Sequence, residues 1–475
     1  RQPLDGGQAG RGTAYTSLSR GVRLITMTAD SSPRVLPEDE VAQLCADLIR
    51  IPSVNYGDRA DPGEREAADY IVGRLQEVGL DPVLVESQPG RASLMVRIEG
   101  HDPNRPGLVV HGHTDVVPAH APDWQVDPFA AEEHDGCIWG RGAVDMKDMD
   151  AMMLAAIRDL ARTGAKPART TTFAFFADEE AGGVWGSRWV ADHHPEWFEG
   201  ATEAVSEVGG YSVTVPARHT GEPVRAYLLQ TAEKGILWLR LHAHGRAGHG
   251  SVPTDANAVV RLAHALARID NHVWPKEYIA SVRALLDGLS DITGTGYAVH
   301  APEVSPDDLL AHLGGAAGFV RGTLQDTANA TMLSAGYKHN VIPQTATAAI
   351  DCRFLPGHEE QLLDTIRELA GEHVEVEVVH RDIALDAPFS GSLVEAMKQS
   401  LRAEDPTAHV LPYCLSGGTD NKSLNRLGIT GYGFAPLRLP ADLDFAPMFH
   451  GIDERVPIES LRFGARVLRD FLDRA

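Results

Sequence analysis

The sequence predicts an α/β fold: a mostly parallel sheet with helices on both faces, interrupted by a smaller inserted α+β domain. Three observations lead there. From about Pro37, short apolar strands alternate with amphipathic helices, the order that builds parallel sheets. Near Lys234 the texture changes to strands of alternating polarity. After Pro388 the first texture returns and ends in a helix over 460–474.

Taken in order, Val41, Leu44, Cys45, Leu48 and Ile49 recur at helical spacing over 38–51, and Ala68, Ile71, Val72, Leu75 and Val78 do so over 64–78, stopping at Gly79. Strands are expected at 94–98 and 108–110. A Met- and Leu-rich helix is expected over 146–160, with short buried strands at 171–176 and 204–205. In the second texture, 236–242 is a half-buried strand, 257–269 a helix and 346–354 a strand. A helix over 359–369 and a strand over 374–379 complete a βαββαβ order of ferredoxin-like type, with roughly 60 extra residues around 271–330. The domain reading is therefore 37–226 plus 383–475, with 227–382 inserted between them.

The chain has 475 residues, 43% hydrophobic and 23% charged, which is ordinary for a globular protein and ample for a large core. No apolar run approaches a membrane span. Lys and Arg number 43 against 66 Asp and Glu, a net charge of −23 that argues against nucleic-acid or anionic-membrane partners. The four cysteines are scattered with no CxxC pair, which excludes a thiolate zinc site and fits a reducing, cytoplasmic compartment. With 21 histidines, any metal chemistry here is that of imidazole and carboxylate. Residues 1–36 read as an extension, disordered or appended in part. Met27 makes a natural start, no secretory signal is expected, and a transit peptide is the weaker alternative.

Five segments carry unusual residues just past strand ends, the usual place for sites in open α/β sheets. In 109–118, His113 and Asp115 alternate past one residue, so both can project to one side, and Asp115 can hold the second ring nitrogen of His113. Alone, this is more often a surface pair. In 139–147 a glycine-rich turn delivers Asp145 to a helix start, where it is either an N-cap or a carboxylate bridging two metals. In 175–183 three acids follow an apolar strand; they are a solvated turn unless they face a cation. Glu207 repeats that arrangement, and His450 stands on an apolar loop before the last helix, where a lone histidine is more often structural. Jointly, two histidines, three carboxylates and one further glutamate are the set a two-zinc hydrolase needs. The glutamate takes the proton of an attacking water and returns it to the leaving nitrogen. Without cations, five converging carboxylates would repel one another.

These segments, in this order over residues 37–475, resemble the dizinc family containing acetylornithine deacetylase, succinyl-diaminopimelate desuccinylase, aminoacylase and glutamate carboxypeptidase. The resemblance implies a catalytic domain carrying an inserted lid or dimerisation domain. It implies His113, Asp145 and Glu207 on one zinc and His450, Asp145 and Glu180 on the other, with Asp145 bridging. Glu179 would be the general base, Asp115 would orient His113, and the Asp145–Met146 peptide would be cis. Co²⁺ or Mn²⁺ are alternatives to Zn²⁺. The segment 245–253 resembles the one whose histidine, here His249, stabilises the oxyanion, often across a dimer. His242 and His244 are read as structural. Arg353 would grip a substrate carboxylate as a bidentate fork, with Asn340 beside it and Gly418 and Thr419 contacting substrate. Without the resemblance, Arg353 reads equally as an edge-strand arginine paired with an acid.

Two departures stand out. Asp148 occupies a position that is usually glycine, and the 271–330 stretch has no counterpart in compact members. The expected activity is zinc-dependent hydrolysis of an N-acyl-amino acid or short peptide bearing a free carboxylate, by a homodimer joined through the inserted domain. A dipeptidase or aminopeptidase is the enzymatic alternative, and a catalytically silent binding protein is the alternative from another class.

Overall fold

Alternating strands and helices require a sheet covered on both faces, and the computed structural model has one. It describes residues 34–57, 63–217, 222–296 and 305–475; the expected extension falls almost wholly outside them. Ten strands form the large sheet. Its middle is parallel: Thr171–Phe176 pairs with Gly107–His113, which pairs with Ala201–Ser206, which pairs with Thr430–Gly433. Val83–Gln88 and Arg91–Ile98 extend one side in antiparallel fashion. On the other side lies Pro223–Glu233, antiparallel to Thr430–Gly433 and parallel to His409–Leu415.

Gly107–His113 and Thr171–Phe176 are buried at every position, so they read as continuous apolar runs rather than alternating ones. Successive residues still serve opposite faces. Val110, Phe173 and Phe175 join the core beneath the helices Pro37–Ile49, Lys147–Thr163 and Ile458–Arg474, whereas Val109, Ala174 and Phe176 join Val190, Trp197 and Leu424 on the other side. The helix Lys147–Thr163 is buried all round from Lys147 to Leu160 because it lies between the sheet and three other helices.

The smaller sheet is antiparallel, in the order Thr327–Ala335, Thr345–Phe354, Gly235–His244, Val374–Asp382. Leu237, Leu239 and Leu241 alternate inward onto the helices Ala258–Asp270 and Glu359–Ala370, giving the βαββαβ arrangement expected. The chain leaves the large sheet at Glu233 and enters the small one at Gly235, with Lys234 between them.

The stretch 271–330 behaves differently from an appendage of the small domain. The helix Ala280–Thr293 turns back onto the large one, and Val282, Leu285, Leu286 and Leu289 enter its core. The approach to the strand His409–Leu415 is so close that a Cβ on Gly288 would lie 2.3 Å from the Leu411 side chain. The end of the stretch, Thr327–Ala335, is the exposed edge strand of the small sheet. Among the described residues, no helix is long and apolar enough to cross a membrane.

Candidate metal centre and active site

Parallel pairing in register sets His113 beside Phe176, so the turns that follow these strands open at one edge of the sheet. His113 is the last residue of its strand and is buried. Its Nδ1 faces Asp115, 3.0 Å from the backbone oxygen and 3.4 Å from Oδ1. That leaves Nε2 pointing at Asp145 Oδ1 (3.2 Å) and Glu207 Oε2 (3.5 Å). The second oxygen of Asp145 lies 3.2 Å from His450 Nε2, which is also 3.0 Å from Glu180 Oε2. Asp145 thus belongs to two ligand groups, His113–Asp145–Glu207 and Asp145–Glu180–His450, and within each group the donor atoms lie within 4.8 Å of one another. The Asp145–Met146 peptide is cis, as the resemblance implied.

Asp115 does more than face His113. Its carboxylate accepts the backbone N–H of Glu179 (3.2 Å) and of Glu180 (3.0 Å), and an N–H of Asn55 (2.9 Å). One buried side chain therefore positions the candidate base, a ligand carboxylate and a ligand histidine together. Glu179 Oε2 comes within 3.9 Å of His113 Nε2.

The electrostatics fit cations. Burial raises the pKa of Glu207 to about 8 and lifts Glu179 and Glu180 as well. Burial also acts against the charge of Asp145, yet His113 and His450 outweigh it and hold that carboxyl below its usual range. Hydrogen bonds to Asp145 and Glu180 push His450 up to about 10. Glu180 Oε1 is buried with no hydrogen-bond partner, as suits an oxygen whose partner is a metal. The donor set of imidazoles and carboxylates is that of borderline divalent ions.

Both groups open into a cavity of about 410 Å³ whose lining includes Glu179, Trp238, Arg353, Gly418, Thr419 and Lys422. Some expected substrate contacts are otherwise engaged. The fork of Arg353 closes on Asp351, two residues earlier on an interior strand of the small sheet, with Nε–Oδ1 at 2.6 Å and Nη2–Oδ2 at 3.0 Å. Thr419 spends both its hydroxyl (2.6 Å) and its backbone N–H (3.1 Å) on the buried Glu233. His249 and Asn340 do not line the cavity. His249 lies exposed on a two-stranded ribbon with Val341–Ile342, its Nδ1 2.8 Å from Ser251 Oγ, and the Asn340 carbonyl accepts from Gly250 N–H. Asp148 is buried with one unpartnered oxygen.

Glu454, four residues beyond His450, is fully buried and has no counterpart among the residues expected from sequence. Its carboxylate accepts from Arg141 (2.7 Å) and from the backbone N–H groups of Gly142, Val144 and Asp145. It therefore shapes the turn that presents the bridging aspartate. Glu454→Ala should leave the buried Arg141 unpaired and cost about 3–5 kcal/mol of stability, read from the denaturant midpoint. A variant as stable as the parent would mean that the 140–145 turn holds its own shape.

Fold and site together define an α/β protein with a candidate two-metal centre. The chain matches peptidase family M20/M25/M40 over residues 109–474 and belongs to that family. It is a hydrolase acting on amide or peptide bonds. It is 26% identical over 465 residues to the N-fatty-acyl-amino acid synthase/hydrolase PM20D1 of Xenopus tropicalis, covering 94% of this chain and 87% of that protein. Aminoacylase-1 of Sus scrofa is 27% identical over 412 residues, covering 83% of this chain and 86% of its own length. Among solved structures, the M20 family metallo-carboxypeptidase Sso-CP2 of Sulfolobus solfataricus superposes with a TM-score of 0.69 at 18% identity, covering 92% of this chain and 99% of that one.

Proposed function

We propose that this protein is a two-zinc hydrolase that cleaves the amide bond of an N-acyl-amino acid or short peptide carrying a free carboxylate. The observation that carries the reading is the sharing of Asp145 between two ligand groups, with Glu179 beside them in one cavity. His113, Asp145 and Glu207 would hold one ion, and His450, Asp145 and Glu180 the other. Bound zinc supplies positive charge that polarises the scissile carbonyl and acidifies water. Glu179 takes the proton of the attacking water on its carboxylate and returns it to the leaving nitrogen. Asp115, through the two amides it accepts, keeps Glu179 aimed while that proton moves. The printed names of the relatives, an N-fatty-acyl-amino acid synthase/hydrolase and an aminoacylase, support the substrate class.

On this reading His249 acts from a second copy, stabilising the oxyanion in the partner's cavity. Two facts support that: His249 stands clear of its own cavity, and the small sheet ends in an exposed edge strand carrying Met332 and Leu333, 72% and 69% exposed. All four cysteines are free thiols, which supports a reducing, cytoplasmic location. Chelation of the purified protein should remove about two zinc equivalents and abolish cleavage of N-acetyl-amino acids, with activity restored by Zn²⁺, Co²⁺ or Mn²⁺. Activity that survives chelation would refute the metal mechanism, and turnover of dipeptides alone would move the substrate class.

A further inference from the structure

The cavity contains a second buried cation whose bonding is unfinished. Lys422 is 2% exposed, and its ammonium donates to the Lys234 carbonyl at 2.8 Å. Among the described residues that is its one hydrogen bond, and no carboxylate oxygen lies within 4.0 Å of it. An ammonium has three donors, so two remain. The neighbouring Lys234 makes a useful contrast: it donates to the carbonyls of Gly322 and Gln325 and to the Thr327 hydroxyl, and is saturated. Arg353 is paired with the Asp351 carboxylate through two of its five N–H donors.

Lys422 is also uncovered from the cavity side. A Cβ on Gly418 would sit 2.7 Å from Lys422 Nζ, so any side chain at 418 would mask the ammonium, and glycine leaves it open. Glu233, which with Asp382 and Glu179 balances this charge at longer range, already accepts three hydrogen bonds from Thr419 and Gln230. A buried cation with two spare donors facing a cavity wants an anionic acceptor.

We propose that Lys422, under the glycine floor at Gly418, is the principal anchor for the free carboxylate of the substrate. This rests on the hydrolase reading above and makes it sharper: the ammonium selects acids over the corresponding carboxamides and disfavours substrates that present a free amine at that end. Arg353, which lines the same cavity, carries a charge already balanced by Asp351.

The test compares kcat/KM for an N-acetyl-amino acid and for its carboxamide in the zinc-loaded protein. A buried charge-assisted hydrogen bond predicts a preference for the acid of roughly 10–100-fold in the parent. Lys422→Gln retains a donor for the Lys234 carbonyl but removes the charge, and should bring that ratio close to one. Lys422→Arg should keep most of it. A Lys422→Gln protein that keeps the parent's preference would overturn the assignment. Should that variant fail to fold, a crystal structure of the parent with an N-acetyl-amino acid decides the matter: the carboxylate within hydrogen-bonding reach of Lys422 Nζ supports it, and a carboxylate seated on Arg353 or Asn340 refutes it. If the parent cleaves neither compound, the hydrolase reading fails by itself. Calorimetric binding of the acid against the amide, to parent and Lys422→Gln protein, then still tests the anchor.

Discussion

Glu179→Ala is expected to reduce kcat by roughly 10²–10⁴-fold while leaving metal content unchanged, because it removes the proton carrier and none of the proposed ligands. Metal analysis and steady-state kinetics on one preparation check both halves. The size of the effect follows from position. Burial and the Glu207 charge raise the proton affinity of Glu179, with His113 opposing, so the group is poised to accept a proton rather than to remain a bare carboxylate. Glu179→Gln should be nearly as damaging, since an amide of the same shape cannot take the proton. A variant with parental kcat would transfer the role of base to another residue.

Asp145→Ala is expected to remove both metal equivalents together, and with them all measurable activity. Each oxygen of this carboxylate serves a different histidine, so one substitution opens both ligand groups. By contrast, His450→Ala should spare the His113–Asp145–Glu207 group and retain about one equivalent if the two sites fill independently. Elemental analysis across the two variants separates a shared centre from two unrelated ones. Loss of a single equivalent in Asp145→Ala would argue against bridging.

The readable parts of the site were those fixed by local geometry. His113 ends its strand, and Asp115, Glu180 and Glu207 lie within four residues of strand ends; a strand's end in a parallel sheet has a known destination, so residue type and position together mark them as candidates. What escaped is set by distant contacts. Glu454 meets Arg141 and Asp145 across more than three hundred residues of chain, and nothing near position 454 names those partners. The same holds for the helix Ala280–Thr293. Its apolar stripe says that one face is buried but not on which domain. The strand Pro223–Glu233 is hard to read, because its buried run of Leu, Gln and Thr lacks the alternation by which a half-exposed strand is recognised. Arg353 and Lys422 show the same limit: both are basic residues at the cavity, and only the structure tells that Arg353 is paired with Asp351 whereas Lys422 donates to the Lys234 carbonyl.

The late position of His450 and Glu454 in the chain has a consequence for biosynthesis. The other candidate ligands lie between residues 113 and 207 and emerge from the ribosome first. At about 5–20 residues per second, His450 and Glu454 follow after tens of seconds. Until then the acidic turns lack one histidine, and the Asp145 loop lacks the carboxylate that organises it. A nascent chain can therefore offer at most the His113 half of the centre. Assembly of the complete site waits on these residues, so a chain terminated shortly before residue 450 would lack a member of one of the two candidate ligand groups even if most of both sheets had formed.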